Sequence, residues 1–266
     1  MMFERTEVDN IGIWQDDLLK KHQELLHAFS ERGKDGNFNL ALHTNDNREK
    51  VLNNRQKWAS ALHINMEQMV TMEQVHGVNV EIVAKKDCGR GAQDYADAMK
   101  ATDGLITNER GVALFACFSD CVPLFFYDPK KRVIALSHGG WKGTVGGIAP
   151  LTAKKMAETF GSDYADILVA VGPSIGACHY EVDGRVISAV KKYACADRVL
   201  TPTDQAHARL DLPLLNKLLL MEQGIKEESI SLSGICTYCR KDSFFSYRAE
   251  NGKCGRMAAT IMLKED

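Results

Sequence analysis

The sequence contains no long apolar run and no strong excess of charge. Among its 266 residues there is no stretch of about 18 apolar residues, the length that a membrane-spanning helix needs. The first ten residues, MMFERTEVDN, lack the basic start and apolar core of a secretion signal. We therefore expect a cytoplasmic protein with no membrane partner. The formal net charge of −2 also predicts no nucleic-acid partner, and any phosphate contact would have to be local.

Cysteine is scarce as well. The 8 cysteines are too few over this length for a disulfide scaffold, so we expect reduced thiols. The CxxC of Cys236 and Cys239 has no second pair of the kind that a zinc ribbon uses, and no helix pattern of the thioredoxin type follows it. We predict that these two and Cys254 are buried or spare thiols. The same prediction covers Cys178-His179, although His179 stays a candidate because it lies near a strand end.

No internal repeat, linker or low-complexity segment divides the chain. Hydrophobic residues make up 45% and charged residues 26% of the sequence, as in ordinary globular proteins. Strand-like and helix-like patterns alternate throughout the length. The sequence therefore predicts one α/β-type domain over residues 1–266.

The most regular part of the chain runs from Val112 to Ile148. It contains the apolar runs VALFACF, PLFFYD and VIALS, followed by the glycine-rich segment HGGWKGTVGG. Continuous apolar runs of this length are typical of strands buried on both faces. We predict strand, loop, strand, turn, strand, and then a glycine-rich loop that opens a helix. Cys121 follows the first of these strands and His138 follows the third.

Three residues with metal or nucleophile chemistry follow predicted strands: His76, Cys121 and His138. Imidazole and thiolate are preferred zinc ligands, and three protein ligands leave one position for water or substrate. Their wide separation along the chain fits a site built from separate strand ends rather than a zinc finger. Two other interpretations stay open. Each residue could form only local hydrogen bonds, or Cys121 could be a thiolate nucleophile with one histidine as its base.

Several charged residues accompany these three. The loop HGGWKGTVGG offers backbone N–H groups and the charge of Lys142 to an anion, which predicts a phosphate contact. Arg32, Arg248 and Arg256 stand among glycine and aromatic residues, a setting that suits anions. Asp120 could either orient a ligand histidine or cap a turn.

Secondary-structure signals elsewhere vary in strength. Asp46, with Glu49 three residues later, predicts a helix beginning with a capping box. Asp211, Pro213 and Gly224 mark the two ends of a second helix, DLPLLNKLLLMEQG. LLHAFSER fits either a helical face or a strand. NG at 251–252, between two strand-like runs, predicts a hairpin.

A resemblance to a known family rests on segments spread over nearly the whole chain. They are SERGKDGNFNL with NNRQKW, EQVHG, TDGLIT, SDCVPLFFYD, SHGGWKGTVGGI, GPSIGACHYEV, and CT with FFSYR and GR. In this order they resemble the laccase-domain proteins, once called multicopper polyphenol oxidases and now generally described as purine nucleoside phosphorylases with adenosine deaminase activity. The chain departs from the usual ADC and HAGW at Ser119 and Gly139, both exchanges of one small residue for another.

The resemblance implies an α+β fold, a single-domain four-layer α/β/β/α sandwich with mixed sheets, and favours the strand form of LLHAFSER. It implies that the family's metal-binding histidine, cysteine and histidine are His76, Cys121 and His138, which would also be catalytic. It places an anion-binding arginine at Arg32, and we add Lys142 as a second phosphate contact. Zinc is the expected metal, with copper as the alternative, because the same ligands accept both.

The implied function is zinc-dependent phosphorolysis of adenosine, inosine and guanosine to free base and ribose 1-phosphate, together with deamination of adenosine. The partners would then be purine nucleosides and phosphate, and the protein a monomer or homodimer. Two alternatives remain: a cysteine–histidine hydrolase without metal, and a copper-dependent polyphenol oxidase. Only 8 histidines in the chain are a thin basis for multicopper chemistry.

Overall fold

Two six-stranded sheets lie face to face in the computed structural model, which describes residues 3–265. In chain order the strands are Phe3–Val8 (β1), Ile11–Asp16 (β2), Leu25–Ser30 (β3), Met69–Thr71 (β4), Val80–Ile82 (β5), Gly104–Thr107 (β6), Ala113–Phe118 (β7), Val122–Asp128 (β8), Val133–Gly139 (β9), Leu168–Val171 (β10), Glu181–Val182 (β11), Leu200–Pro202 (β12), Ala208–Leu210 (β13), Ile230–Leu232 (β14) and Met257–Leu263 (β15). Both sheets are mixed, because each combines antiparallel pairs with at least one parallel pair.

The first sheet has the order β1-β2-β3-β15-β7-β4, and the second has the order β14-β10-β8-β9-β6-β5. A small third sheet has the order β11-β13-β12. The helices are Asp17–Lys20 (α1), Arg48–Ala61 (α2), Trp141–Val145 (α3), Ile148–Phe160 (α4), Gly184–Val190 (α5), Ala196–Val199 (α6) and Leu212–Glu222 (α7). None of the helices within residues 3–265 is long and apolar enough to cross a membrane.

The central strands are buried on both faces, which explains their continuous apolar sequence. In β8, Phe125 and Tyr127 pack between the two sheets, while Leu124 and Phe126 pack on the opposite side with α4 and α7. On the far side of the first sheet, Trp58 of α2 packs in a third apolar cluster. Burying a large apolar side chain in this way contributes roughly 1.5–3 kcal/mol. The order helix, sheet, sheet, helix confirms the expected four-layer α+β sandwich with mixed sheets.

The segment LLHAFSER, whose secondary structure was ambiguous in the sequence, contains one strand and no helix. LLHAFS is β3, paired antiparallel with β2 and β15. A single helical turn, α1, separates β2 from β3, and the side chain of Asp16 caps it by accepting hydrogen bonds from Leu18 and Leu19. The strand form that the family resemblance favoured is therefore confirmed.

The helix predicted to begin at Asp46 has its cap one residue later. The side chain of Asn47 accepts a hydrogen bond from the backbone N–H of Lys50 at 3.0 Å, and α2 begins at Arg48. Asp46 instead accepts a hydrogen bond from the backbone N–H of Asn47 at 2.8 Å. The prediction was wrong because two successive residues, Asp46 and Asn47, both have the chemistry of a cap. For α7, by contrast, the cap at Asp211 is confirmed.

The hairpin predicted at Asn251-Gly252 does not form. Both residues have the positive φ angles of a tight turn, 50° and 82°. Residues 244–250 before the turn are not a strand, however, and β15 pairs with β3 and β7 instead. The turn chemistry was recognised correctly, but the strand pairing beside it was wrong.

Candidate active site

Three side chains meet at one end of the two sheets: His76, Cys121 and His138. One donor atom from each lies within 4.8 Å of the other two. The Sγ of Cys121 is 3.9 Å from Nε2 of His76. The two imidazole rings meet edge to face, with centroids 4.8 Å apart. The structure thus brings together the three residues that the sequence singled out.

The three side chains come from different kinds of backbone, one from a strand and two from loops. His138 lies within β9, not after it, and its ring is buried between the sheets beside Phe118, with centroids 5.5 Å apart. Cys121 lies in the short loop between β7 and β8. His76 lies in the longer loop between β4 and β5, has a φ of 63°, and is exposed. One candidate ligand is therefore held by a sheet, and the other two are carried by loops.

Asp103, which the sequence analysis missed, links two of these residues. Its carboxylate oxygen Oδ1 is 2.8 Å from Nδ1 of His138. The same carboxylate accepts backbone hydrogen bonds from His76 at 2.9 Å and from Gly77 at 2.7 Å. Because the carboxylate engages Nδ1, the Nε2 atom of His138 is the one left for a ligand. The only signal for Asp103 in the sequence was its place just before β6 in TDGLIT.

Asp120 does not orient a ligand histidine. Its carboxylate accepts hydrogen bonds from the hydroxyl of Thr237 at 2.7 Å, the hydroxyl of Ser246 at 3.1 Å and the backbone N–H of Arg248 at 2.7 Å. These donors belong to the segment after β14. Of the two roles left open for Asp120, the structure therefore supports a structural one, which ties this segment to the loop that carries Cys121.

The groups around Cys121 favour its ionised form. Burial opposes ionisation, but the charge of His138 and hydrogen bonds from both imidazoles lower the pKa of the Cys121 thiol to about 6. Burial also opposes charge on His138, yet Cys121 and Asp103 raise the pKa of His138 to about 9. A thiolate is the form that binds metal or acts as a nucleophile, so the electrostatics suit either role.

Gly140 leaves the space in which a small ion would fit. A Cβ atom at this position would lie 2.8 Å from Cδ2 of His76, 3.3 Å from Sγ of Cys121 and 3.6 Å from Cε1 of His138. The backbone of Gly140 has ordinary dihedral angles, so conformation does not require glycine here. We infer that glycine keeps the space between the three donors open. A thiolate and two imidazoles around such a space fit a metal ion.

A cavity of about 680 Å³ opens over these three residues, a size typical of small-molecule sites. Its wall carries four cationic side chains, which are Lys142, Arg185, Arg248 and Arg256. Three large aromatic side chains, Trp141, Tyr180 and Tyr247, also line it. The cavity therefore combines positive charge with flat apolar surfaces beside the candidate metal ligands.

Aromatic rings hold several of these cations in place. The guanidinium of Arg185 lies 5.1 Å and the ammonium of Lys142 lies 5.9 Å from the centroid of the Trp141 ring. Arg248 lies 5.4 Å from the centroid of Tyr180. Lys142, which the sequence proposed as a phosphate contact, is thus at the cavity wall. The loop in which it was expected contains the short helix α3.

Arg32 is not among the residues that line the cavity. Its guanidinium is 3.2 Å from the carboxylate of Glu250 and donates a hydrogen bond to the carbonyl of Lys241 at 2.8 Å. It also lies 4.8 Å from the centroid of the Phe245 ring. These contacts give Arg32 a structural role, and a phosphate contact would require the pair with Glu250 to open.

The sequence analysis missed several other residues of the cavity. Tyr180 lies between β10 and β11 and Arg185 follows β11, in a part of the chain where only GPSIGACHYEV had attracted attention. His43 also lines the cavity, and burial, followed by nearby arginines, lowers its pKa to about 4, so its ring is neutral at neutral pH. No local pattern marks these residues, because they reach the cavity only through the tertiary fold.

A second cluster lies outside this cavity. Cys178, His179, Cys236 and Cys239 place one donor atom each within 4.8 Å of one another. The expectation that these thiols are buried is wrong for Cys178 and Cys239, which are exposed, and in space the CxxC does have a neighbouring pair. The partner is Cys178-His179, about sixty residues earlier in the chain.

Comparison with known proteins agrees with this geometry. The sequence profile of the family described as multi-copper polyphenol oxidoreductase laccase matches residues 27–264. This chain belongs to that family. The chain is accordingly an enzyme, since curated members of the family carry the names of enzymes. The fold described above has close counterparts among the solved structures of related proteins.

Three relatives illustrate the similarity. "Purine nucleoside phosphorylase YlmD" of Bacillus subtilis is 43% identical over 228 residues, which cover 85% of this chain and 82% of that protein. "Adenosine deaminase RL5", from an unknown prokaryotic organism, is 30% identical over 228 residues, 85% of this chain and 87% of that protein. The crystal structure of the Bacillus licheniformis hypothetical protein YfiH superimposes with a TM-score of 0.93, at 34% identity, over 98% of this chain and 99% of that one.

Proposed function

We propose that the protein is a zinc-dependent purine nucleoside phosphorylase that also deaminates adenosine. The observation that carries the proposal is the three-residue donor set His76, Cys121 and His138 on the floor of a cationic, aromatic cavity. The names of the relatives support the same substrates, because they include a purine nucleoside phosphorylase and an adenosine deaminase.

His76, Cys121 and His138 are the residues that would hold the metal. Three protein ligands, rather than four, are typical of catalytic zinc, because one position stays available for chemistry. A zinc ion held there would supply Lewis-acid charge inside the cavity and would lower the pKa of a bound water molecule to near neutral pH. Asp103 orients His138 and fixes the backbone at His76, as carboxylates behind ligand histidines do.

The cations of the cavity wall would bind phosphate. In phosphorolysis a phosphate oxygen bonds to the anomeric carbon of the ribose while the bond from that carbon to the base nitrogen breaks. The protein must hold the phosphate against the sugar and stabilise the positive charge that develops there. Lys142 and Arg185 both lie against Trp141, and Arg248 lies against Tyr180 on the wall of the same cavity, so these three cations would position the anion. The role of Arg32 as an anion contact stays a prediction.

The aromatic side chains would bind the purine. Flat rings pack favourably against a heteroaromatic base, and Trp141, Tyr180 and Tyr247 offer three. Burial raises the pKa of Tyr180, which keeps its hydroxyl protonated as a hydrogen-bond donor. The neutral ring of His43 is a further hydrogen-bonding group at the wall. These groups would bring C6 of adenosine, where deamination occurs, into the same cavity.

A metal-free cysteine hydrolase is the second candidate, and one observation favours it. The arrangement resembles a catalytic triad. Cys121 would be the thiol nucleophile, His138 its base, and Asp103 the carboxylate that orients the base. Chelation separates the two functions. A hydrolase of this kind keeps full activity after treatment with a chelator and loses it in Cys121→Ser, whereas the proposed phosphorylase loses activity in both cases.

The copper polyphenol oxidase remains a weaker alternative. Within residues 3–265, the one other cluster with metal-ligating spacing consists of three cysteines and a histidine. Copper oxidases that use several metal ions need further histidine-rich sites. Oxygen consumption with a phenol, dependent on added copper, is the measurement that would favour this alternative.

Product analysis tests the proposal. Purified protein should convert inosine and phosphate to hypoxanthine and ribose 1-phosphate, with no base released when phosphate is omitted. Adenosine should yield both adenine and deaminated products.

His76→Ala and His138→Ala should each lower kcat/KM at least about a hundredfold, because each removes a metal ligand. His63→Asn is the matched control, since His63 is exposed, lies outside the cavity and has a positive φ that asparagine tolerates. Nucleosides recovered unchanged, or His76→Ala with undiminished turnover, would refute the assignment.

A further inference from the structure

We propose that Cys178, His179, Cys236 and Cys239 form a second zinc site, which is structural. Their four donor atoms, three sulfurs and one imidazole nitrogen, lie within 4.8 Å of one another. Four protein ligands with no position left for substrate are the mark of structural zinc, and a set of three cysteines and one histidine is among its common forms.

Three of the distances between the donors, those among Cys178, His179 and Cys239, are close to the values of a tetrahedral site. Zinc–sulfur bonds of about 2.3 Å and zinc–nitrogen bonds of about 2.0 Å place neighbouring sulfurs about 3.8 Å apart and sulfur and nitrogen about 3.5 Å apart. The Sγ atoms of Cys178 and Cys239 are 3.6 Å apart. Nδ1 of His179 is 3.3 Å from each of these sulfurs. A disulfide would require the sulfurs about 2.05 Å from each other, far closer than they are.

Two parallel strands explain why these pairs meet. β10 and β14 are parallel neighbours, with Val171 opposite Leu232, so their carboxyl ends lie at the same edge of the sheet. The pairing continues into the following loops, where Ser174 forms an isolated parallel bridge with Cys236. The cluster is therefore held by the sheet, although the two pairs lie far apart in sequence.

Neighbouring groups orient some of the donor atoms of this cluster. The backbone N–H of Gly176 points to Sγ of Cys236 at 3.3 Å, a contact that stabilises a thiolate. The ring of His179 stacks on Tyr238 with centroids 4.1 Å apart and planes 16° apart, which fixes its orientation. Two of the four donors, Cys236 and His179, thus have a neighbour outside the cluster that holds them in place.

The second site borders the wall of the catalytic cavity. Ile175 and Tyr180, which line the cavity, flank the Cys178-His179 pair in sequence. Ile175 donates a backbone hydrogen bond to the carbonyl of Asp120, and the hydroxyl of Thr237, next to Cys236, donates to its carboxylate. An ion at the second site would join both segments and so fix this part of the wall without touching substrate.

Metal counting tests the proposal. Protein purified with zinc present and passed over a chelating resin should hold two zinc equivalents per chain. Cys236→Ser/Cys239→Ser should lose one equivalent, and Cys88→Ser should keep both, since Cys88 lies in neither cluster. The double variant with an unchanged zinc content, or Cys178 recovered in a disulfide with Cys239 from freshly purified protein, would overturn the proposal.

A cobalt titration keeps the test valid if the double variant does not fold. Cys121→Ser with His76→Ala, which removes two ligands of the catalytic set, should still bind one Co²⁺ and show the intense visible bands of tetrahedral coordination and sulfur charge transfer. Zinc should displace the cobalt and abolish these bands. Failure of this protein, folded by circular dichroism, to show them would refute the second site and would leave the proposed phosphorylase activity untouched.

Discussion

Gly140 lies so close to the three candidate ligands that a Cβ atom there would be 2.8 Å from the ring of His76. Its backbone angles, φ −68° and ψ 163°, suit every residue, so only the space around its Cα demands glycine. Gly139, its neighbour, faces the other way, toward Val122 and Leu124. Two adjacent glycines of similar appearance in the sequence therefore have different reasons to be glycine.

This difference gives a prediction about the metal. Gly140→Ala should weaken zinc binding at the catalytic site at least tenfold and abolish phosphorolysis, because the new methyl group fills the space between the donors. Gly139→Ala should keep both metal and activity, since its Cβ meets Val122 at 3.1–3.2 Å, a contact that small shifts relieve. Zinc affinity measured by competition with a chelating dye checks both. Equal affinities in the two variants would contradict our account of Gly140.

Asp103 supports a second prediction at this scale. Asp103→Asn should lower zinc affinity about 10–100-fold, because the amide cannot hold His138 and the His76 backbone as the carboxylate does. Asp94→Asn is the matched control and should leave zinc affinity within threefold of the parent, since Asp94 is exposed, lies outside the cavity and caps a local turn by accepting the backbone N–H of Ala96. Competition titrations decide the matter, and equal losses in the two variants would contradict the role that we assign to Asp103.

The sequence predicted the three candidate ligands better than the residue whose side chain orients them. His76, Cys121 and His138 stood out in the sequence as candidate metal ligands because imidazole and thiolate are chemically distinctive, and the family resemblance implied the same three residues. Asp103 looked like any aspartate before a strand, and Asp120 was the nearer guess because it adjoins Cys121. Which carboxylate reaches His138 depends on the pairing of β6 with β9, a long-range contact that no local pattern records.

At the scale of the elements, α2 is attached to the first sheet by a buried hydrogen bond. The indole N–H of Trp58 donates to the hydroxyl of Thr260 in β15 at 2.9 Å, and both side chains are fully buried. Buried polar groups of this kind are costly when one partner is removed.

Thr260→Val should therefore destabilise the protein by about 1–3 kcal/mol, because the indole N–H loses its partner inside the core. Trp58→Phe should also destabilise it, and the double variant should cost less than the sum of the two single changes, because no donor remains unpaired. Urea unfolding of the four proteins measures this coupling. Strictly additive free energies would show that the hydrogen bond contributes nothing to holding α2.

The elements were predictable where burial alone defines them. β7, β8 and β9 appear in the sequence as continuous apolar runs because both of their faces are covered, and α7 is bounded by recognisable cap residues. Prediction failed at Asn251-Gly252, where the turn is real but its flanks have no strand partner. Turn geometry is set by a few residues, whereas strand pairing depends on distant parts of the chain.

At the scale of the whole molecule, His27 makes stability depend on pH. Its ring lies between the two sheets, meeting Phe125 edge to face at 6.1 Å, and Nε2 accepts the backbone N–H of Asp16 at 2.7 Å. Burial lowers its pKa to about 3. The folded protein therefore keeps His27 neutral between pH 6.5 and pH 3, where the unfolded chain binds a proton.

Stability should consequently fall as the pH drops below about 6.5, by roughly 1.4 kcal/mol per pH unit from this residue alone. The direction follows because the unfolded state binds the extra proton, so stability rises with pH across this window. His27→Gln should have a shallower pH dependence by that amount, even if it is less stable at pH 7.5. Urea unfolding of both proteins between pH 7.5 and pH 4.5 measures the difference, and parallel curves would exclude His27 as the cause.

The four-layer arrangement came from the family resemblance rather than from periodicity. Apolar runs show that a strand is covered on both faces, but they do not show whether helices or a second sheet cover it. Here β8 meets the first sheet on one face and helices on the other, and both environments select the same residue types. Composition and patterning therefore limit the fold class without choosing among layered architectures.

The three candidate ligands differ in the element that carries them and in their exposure, and this difference has a consequence for how an ion would enter and leave. His138 lies in β9 and is buried, whereas His76 lies on a loop and is exposed. The exposure of Cys121 is intermediate between the two. An arriving ion would meet the outer imidazole first and the buried one last, and a departing ion would leave them in the reverse order. Exchange should accordingly be governed by excursions of the segment around His76, so that stiffening this segment would slow both capture and release while leaving the equilibrium affinity nearly unchanged.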